Sequence, residues 1–125
     1  MASLVVVEGR GEGGLLPLVQ PLISVGREDT CSFQVVDDQV SRKHLQVKLN
    51  AADGRHYAGD YRSANGVFVN GVRIVLDTAL ADGDRIRIGG TTLMYLAADH
   101  ADAGAARAAA KVKGEWKRET LKQRD

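Results

Sequence analysis

The sequence predicts an all-β sandwich of about ten short, mainly antiparallel strands, followed by a tail of different character. Three observations carry this reading. Up to about Leu96 the chain is a succession of short apolar or alternating runs; Gly, Asn and Asp pairs stand between them; and no stretch there leaves room for a helical stripe.

Taken in order, the first run is Leu4 to Glu8, apolar through Val7. Glu12-Gly13-Gly14 then turns the chain into Leu15 to Leu18, and Leu22 to Val25 and Ser32 to Val36 follow. His44 to Leu49 contains the alternation Leu45-Gln46-Val47-Lys48-Leu49, one face apolar and the other polar, as in a half-buried strand. Ala52-Asp53-Gly54 leads into Arg55 to Asp60, and Val67 to Val69 and Val72 to Ile74 flank the hairpin dipeptide Asn70-Gly71. After Asp82-Gly83-Asp84 comes Arg85-Ile86-Arg87-Ile88, again alternating, and Gly89-Gly90 opens the last run, Thr92 to Leu96. Gly and Asn tolerate positive φ, so these separators suit tight turns.

A chain of 125 residues with 44% hydrophobic and 26% charged residues is the size and composition of one globular domain plus a tail. We place the sandwich at 1–98 and a linker and tail, helical or disordered, at 99–125. No run approaches the roughly 18 apolar residues of a membrane span, and the first residues lack a secretory signal, so a cytoplasmic location is expected. Cys31 is the lone cysteine, which excludes an internal disulfide and suits a reducing compartment. Residues 1–98 carry ten basic against eleven acidic side chains, net −1; residues 99–125 carry seven against five, net +2. The basic character therefore sits in the Ala/Lys/Arg-rich tail. Glu115 and Glu119 interrupt it and no aromatic platform accompanies it, so it reads as a solvated helix or linker rather than a nucleic-acid surface. Trp116 is its one substantial anchor.

Polar gaps between strands hold the residues with chemistry. Arg27 and Arg42 are forked cations suited to phosphate oxygens, Ser41 offers a short hydroxyl donor, and the Asn65 amide can grip a peptide backbone by donor and acceptor. Taken singly, each has a plainer explanation: surface arginines, a turn-capping serine, an Asn-Gly hairpin pair. Asp82-Gly83-Asp84 is a turn, since a calcium loop needs more oxygen ligands at set spacing. Ser41 and His44 lack the local signature of a hydrolase, and His44, His56, His100 and Cys31 are too scattered for zinc. No catalytic residue, metal or cofactor is expected.

In order, Gly26-Arg27, Ser41-x-x-His44, Asn65-Gly66, Val69-Asn70-Gly71, Asp82-Gly83-Asp84 and Ile88-Gly89 closely resemble the forkhead-associated (FHA) family over roughly residues 3 to 97. The resemblance implies an FHA-like sandwich of eleven strands that binds phosphothreonine peptides in loops at one end, without enzymatic activity. It implies that Arg27, Ser41 and Arg42 bind the phosphate and that Asn65 bonds the peptide backbone. His44, Gly26, Gly66, Asn70 and Gly71 would support the site. Flanking residues of the peptide would meet Gln39, Val40, Tyr61, Arg62, Ser63 and Ala64. The implied partner is a phosphothreonine-containing protein of a Ser/Thr kinase pathway. One departure stands out: Ala64 replaces the Thr or Ser common before the Asn-Gly pair, removing a hydroxyl. It keeps open a second reading, a phosphate-independent assembly module using a sheet face or the tail.

Overall fold

Eleven strands and no helix occupy residues 2–9 and 12–97, the part of the chain that the computed structural model describes. They are β1 (Ser3–Glu8), β2 (Leu15–Pro17), β3 (Leu22–Gly26), β4 (Phe33–Gln34), β5 (Leu45–Asn50), β6 (Arg55–Asp60), β7 (Val67–Val69), β8 (Val72–Arg73), β9 (Thr78–Ala79), β10 (Arg85–Ile88) and β11 (Thr91–Leu96). One sheet has the order β2-β1-β11-β10-β7-β8 and the other β4-β3-β5-β6-β9. Every pairing is antiparallel except β3 with β4. The tail expected at 99–125 lies outside the described residues.

Alternation decides which side chains make the core. In β10, Ile86 and Ile88 are fully buried while Arg87 is exposed, and in β5 Leu45 and Val47 are buried. Leu4, Val6, Ile23, Val25, Leu93 and Tyr95 join them, so inward residues of both sheets form one cluster. This is the face-to-face packing expected of a sandwich. Each fully buried aliphatic side chain contributes roughly 1.5–3 kcal/mol by leaving water.

Ten of the strands coincide with runs read from the sequence. The eleventh, β9, has two residues, too few to show a period, and exists through its pairing with Tyr57 and Ala58 of β6. Ser32 to Val36 contracts to Phe33–Gln34, which pair with Val25 and Gly26 of β3; one step earlier Ser32 meets Ser24 through side-chain hydroxyls instead of a backbone ladder. The registers Val25 with Leu45, Leu45 with Asp60, and Val67 with Ile88 bring the β3–β4, β4–β5, β6–β7 and β10–β11 connections to one end of the sandwich.

Candidate functional site

Gly26 ends β3 where the chain runs against the β4–β5 loop. A Cβ there would stand 2.2 Å from the carbonyl oxygen of Arg42, so only glycine fits this approach. Because the backbones lie so close, Arg27 N–H donates to Ser41 O at 3.0 Å and Glu28 N–H to Arg42 O at 3.1 Å. The Arg27 Nε–H donates to Val40 O at 3.1 Å, which orients the guanidinium of this exposed side chain. Cys31 adds a thiol bond to Arg42 O at 3.2 Å, and burial pushes its pKa up.

His44 joins the two sheets beneath the loops. It is fully buried, accepts the Ser41 N–H at Nδ1 (3.0 Å), and its Nε2 lies 2.7 Å from Gly66 O. With Nδ1 an acceptor, Nε2 is the donor, so one neutral tautomer satisfies both contacts. Above it, Ala64 N–H donates to Ser41 Oγ at 3.0 Å and the Asn65 Nδ2 amide donates to Gln39 O at 2.7 Å. Ser63 Oγ accepts Gly66 N–H, and Asp60 accepts Ser63 N–H. Arg27, Ser41, Ala64 and Asn65, distant in sequence, thus stand in one continuous bonded rim.

Five cations stand on the outside at this end, beside the exposed carboxylates Asp29 and Asp38. Arg27, Arg42, Lys43, Arg62 and Arg73 are all exposed, and Lys43 Nζ stands 5.8 Å above the Tyr61 ring. A nearby carboxylate is turned inward: Asp37 accepts Gln39 N–H, Gly90 N–H and the Thr91 hydroxyl, tying the β4–β5 loop to the β10–β11 turn. The arrangement can hold a compact dianion beside an extended backbone.

The FHA domain family model matches residues 23–89, which include every residue of this rim. The chain belongs to the FHA family. This FHA domain is 36% identical over 102 residues to the glycogen accumulation regulator GarA of Mycolicibacterium smegmatis, covering 81% of this chain and 62% of GarA. The chain therefore spans less than two thirds of that relative's length. Mycobacterium tuberculosis EmbR, solved in complex with a low-affinity phosphopeptide, superposes at TM-score 0.68 and 29% identity, over 79% of this chain and 25% of EmbR. An FHA domain solved in a study of phosphothreonine-dependent interactions superposes at TM-score 0.70 and 27% identity, over 79% of this chain and 98% of that one.

Not every residue singled out in the sequence meets at the FHA loops. Asn70 and Gly71 lie at the other end of β7 from Asn65, in the β7–β8 turn. There Asn70, at φ 51, receives Arg85 N–H at Oδ1 and donates to Asp84 Oδ1, fixing the turn before β10. Arg62 sits in the β6–β7 loop at φ 55, an uncommon conformation for a residue with a Cβ. Three contributors escaped sequence reasoning: Asp37, Cys31 and Arg73, whose Nε would be 2.7 Å from a Cβ on Gly66. Asp37 had a local signal, an aspartate two residues before the N–H it caps. Arg73 had none, since it arrives from β8 across the sheet.

Proposed function

We propose that this FHA domain is a phosphothreonine-dependent docking module: it binds a threonine-phosphorylated segment of a partner in a Ser/Thr kinase pathway, through the rim at one end of the sandwich. The observation that carries the reading is the bond from Ala64 N–H to Ser41 Oγ, beside Arg27. A hydroxyl oxygen that accepts from the neighbouring loop has its O–H left to donate outward, toward an anion. The terminal amino groups of Arg27 and the Arg42 fork would meet phosphate oxygens, and the Asn65 carbonyl oxygen would accept a peptide N–H. Gln39, Arg62, Ser63 and Ala64 would meet flanking residues, whereas Val40, expected to join them, is only 1% exposed and packs into the core instead.

A phosphothreonine brings about −1.5 to −2 charges at neutral pH, and each charge-assisted bond contributes roughly 1.5–3 kcal/mol. Two or three such bonds, with backbone contacts, reach the roughly −8 kcal/mol of micromolar binding. No covalent step is assigned to any residue, and a cytoplasmic site of action fits this role. Calorimetric titration with one peptide in phosphorylated and unphosphorylated forms tests the proposal. The phosphorylated form should bind far more tightly, and Arg27→Ala should weaken it by roughly ten- to a hundredfold. Equal affinity for both forms would sink the phosphate clamp.

A further inference from the structure

The outward face of the sheet β2-β1-β11-β10-β7-β8 carries a row of cationic and aromatic side chains. In β10, Ile86 and Ile88 enter the core, so Arg87 points outward; in β7, Val67 and Val69 enter it, so Phe68 does the same. Register places Arg87 opposite Phe68, and Phe68 opposite Arg73 of β8. Directly opposed residues of an antiparallel pair share a face. Arg87, Phe68 and Arg73 therefore cross β10, β7 and β8 in one line.

Both arginines are exposed, and among the described residues neither has a carboxylate partner. Arg85, two positions before Arg87 on the same face, is by contrast matched by Glu8 at 3.7 Å. The exposed carboxylates nearest the rim in sequence, Asp29 and Asp38, belong to the β3–β4 and β4–β5 loops and bridge neither arginine. The Arg87 guanidinium lies 4.4 Å over the Phe68 ring, which holds it against the sheet. Arg73 is held too: its Nε would stand 2.7 Å from a Cβ on Gly66, so the side chain lies back from β8 toward the loops. Guanidinium groups already placed by packing lose less freedom on meeting an anion than free ones do.

The row begins where the rim ends. Gly66, which Arg73 covers, directly follows Asn65, whose side chain is bonded into the rim through Gln39 O. A peptide that continues past Asn65 over this edge meets Arg73 first and Arg87 next. Strands about 4.8 Å apart put the backbones at Arg73 and Arg87 roughly 10 Å apart, and an extended peptide advances about 3.3 Å per residue, so carboxylates about two to four positions apart reach both.

We propose, on the reading that the rim holds a phosphothreonine, that Arg73 and Arg87 bind an acidic stretch of the same partner, which runs from the rim across the outer face of β8, β7 and β10. Its carboxylates meet the two guanidinium groups, and its backbone passes over Phe68. The partner class is thereby narrowed to phosphothreonine segments flanked on one side by Asp or Glu. Exposed ion pairs are individually weak and screened by salt, so the row selects among phosphopeptides rather than supplying most of the affinity. Together the two pairs should contribute about three- to tenfold.

Calorimetry with matched phosphothreonine peptides tests this. One pair carries a run of Asp or of Asn after the phosphothreonine, and a second pair carries the same runs before it. In one of the two pairs the Asp peptide should bind about three- to tenfold more tightly than its Asn counterpart, and the advantage should shrink as salt is added. Arg73→Gln and Arg87→Gln should each reduce that ratio, and the double variant should bring it to one; Arg87→Gln should leave the affinity for the Asn peptide unchanged. Arg55→Gln removes an equal charge from exposed β6 in the other sheet and should leave the ratio intact. If neither pair shows an Asp advantage while the Asn phosphopeptide still outbinds its unphosphorylated form, the proposal falls and the phosphate clamp stands. If phosphorylation makes no difference, both fall together. An advantage that survives the double variant, or is lost equally in Arg55→Gln, overturns the proposal as well. So does binding of a single-stranded oligonucleotide that the double variant abolishes, without any Asp advantage, which would assign the row to nucleic acid.

Discussion

Ser41 accepts at its hydroxyl from the neighbouring loop, and the side chain making that loop short of a hydroxyl is exposed Ala64. Adding one back as Ala64→Thr gives the phosphopeptide a further neutral hydrogen bond of roughly 0.5–1.5 kcal/mol, a two- to tenfold gain at most. Calorimetry should show a lower dissociation constant; an unchanged or higher one refutes the assignment of this position to the peptide rim. His44 works on the opposite side of the same loops. His44→Ala strands the Ser41 N–H and Gly66 O and opens a cavity between the sheets, so it should destabilise the domain by about 2–4 kcal/mol, measured by urea unfolding. The loss of affinity that accompanies it should exceed the loss expected from the unfolded fraction alone, because the loops lose their common anchor.

At the scale of elements, two Asn-Gly turns do different work. Asn65-Gly66 opens β7 within the bonded rim, and Asn70-Gly71 closes the same strand at its other end, holding Asp84 and the start of β10. Asn70→Ala places a residue without a local hydrogen-bonding side chain at φ 51 and removes two bonds, so it should cost about 1–3 kcal/mol of stability. Phosphopeptide affinity of the folded fraction should not change. Asn65→Ala should do the reverse, weakening binding with little effect on the urea midpoint. A binding defect in Asn70→Ala equal to that of Asn65→Ala would mean that the far turn shapes the site after all.

For the whole molecule, pH acts through two separate groups. His56 Nδ1 meets the Tyr95 hydroxyl at 2.7 Å, linking β6 to β11 across the sandwich, and burial holds its imidazole below the usual 6.5. The unfolded chain then takes up a proton that the folded one refuses. Stability is therefore full above about pH 6.5 and falls as the pH drops below it toward the depressed folded value. Thermal unfolding across this range should show the decline, and His56→Gln should flatten it. Phosphothreonine has its own second pKa near 6, so peptide affinity should also drop below about pH 6 as the dianion is protonated. The two effects separate cleanly, since His56→Gln should leave the pH dependence of the dissociation constant unchanged.

Much of the fold is local in origin and was legible for that reason. Alternation in β5 and β10 and the Gly- and Asn-containing turns mark ten of eleven strands from neighbouring residues alone. β9 escapes because two residues have no period, and the parallel pairing of β3 with β4 escapes because periodicity carries no direction. The candidate site is legible as a set of residue types, Arg27, Ser41, Arg42, His44 and Asn65, but its geometry is not. Nothing in the two Asn-Gly pairs tells which end of β7 meets the loops of Arg27 and Ser41, and nothing near Arg73 announces Gly66. The uninterrupted apolar run of β1 likewise fits a strand buried on one face or on both; only the exposure of Val5, Met94 and Leu96 distinguishes them. The amino-acid order by itself determined the strands, the turns and the chemistry available in the loops, because these depend on residues within a few positions of one another. Tertiary structure alone decided which loops meet and which faces are covered, because strand register and sheet packing join positions that the chain holds far apart.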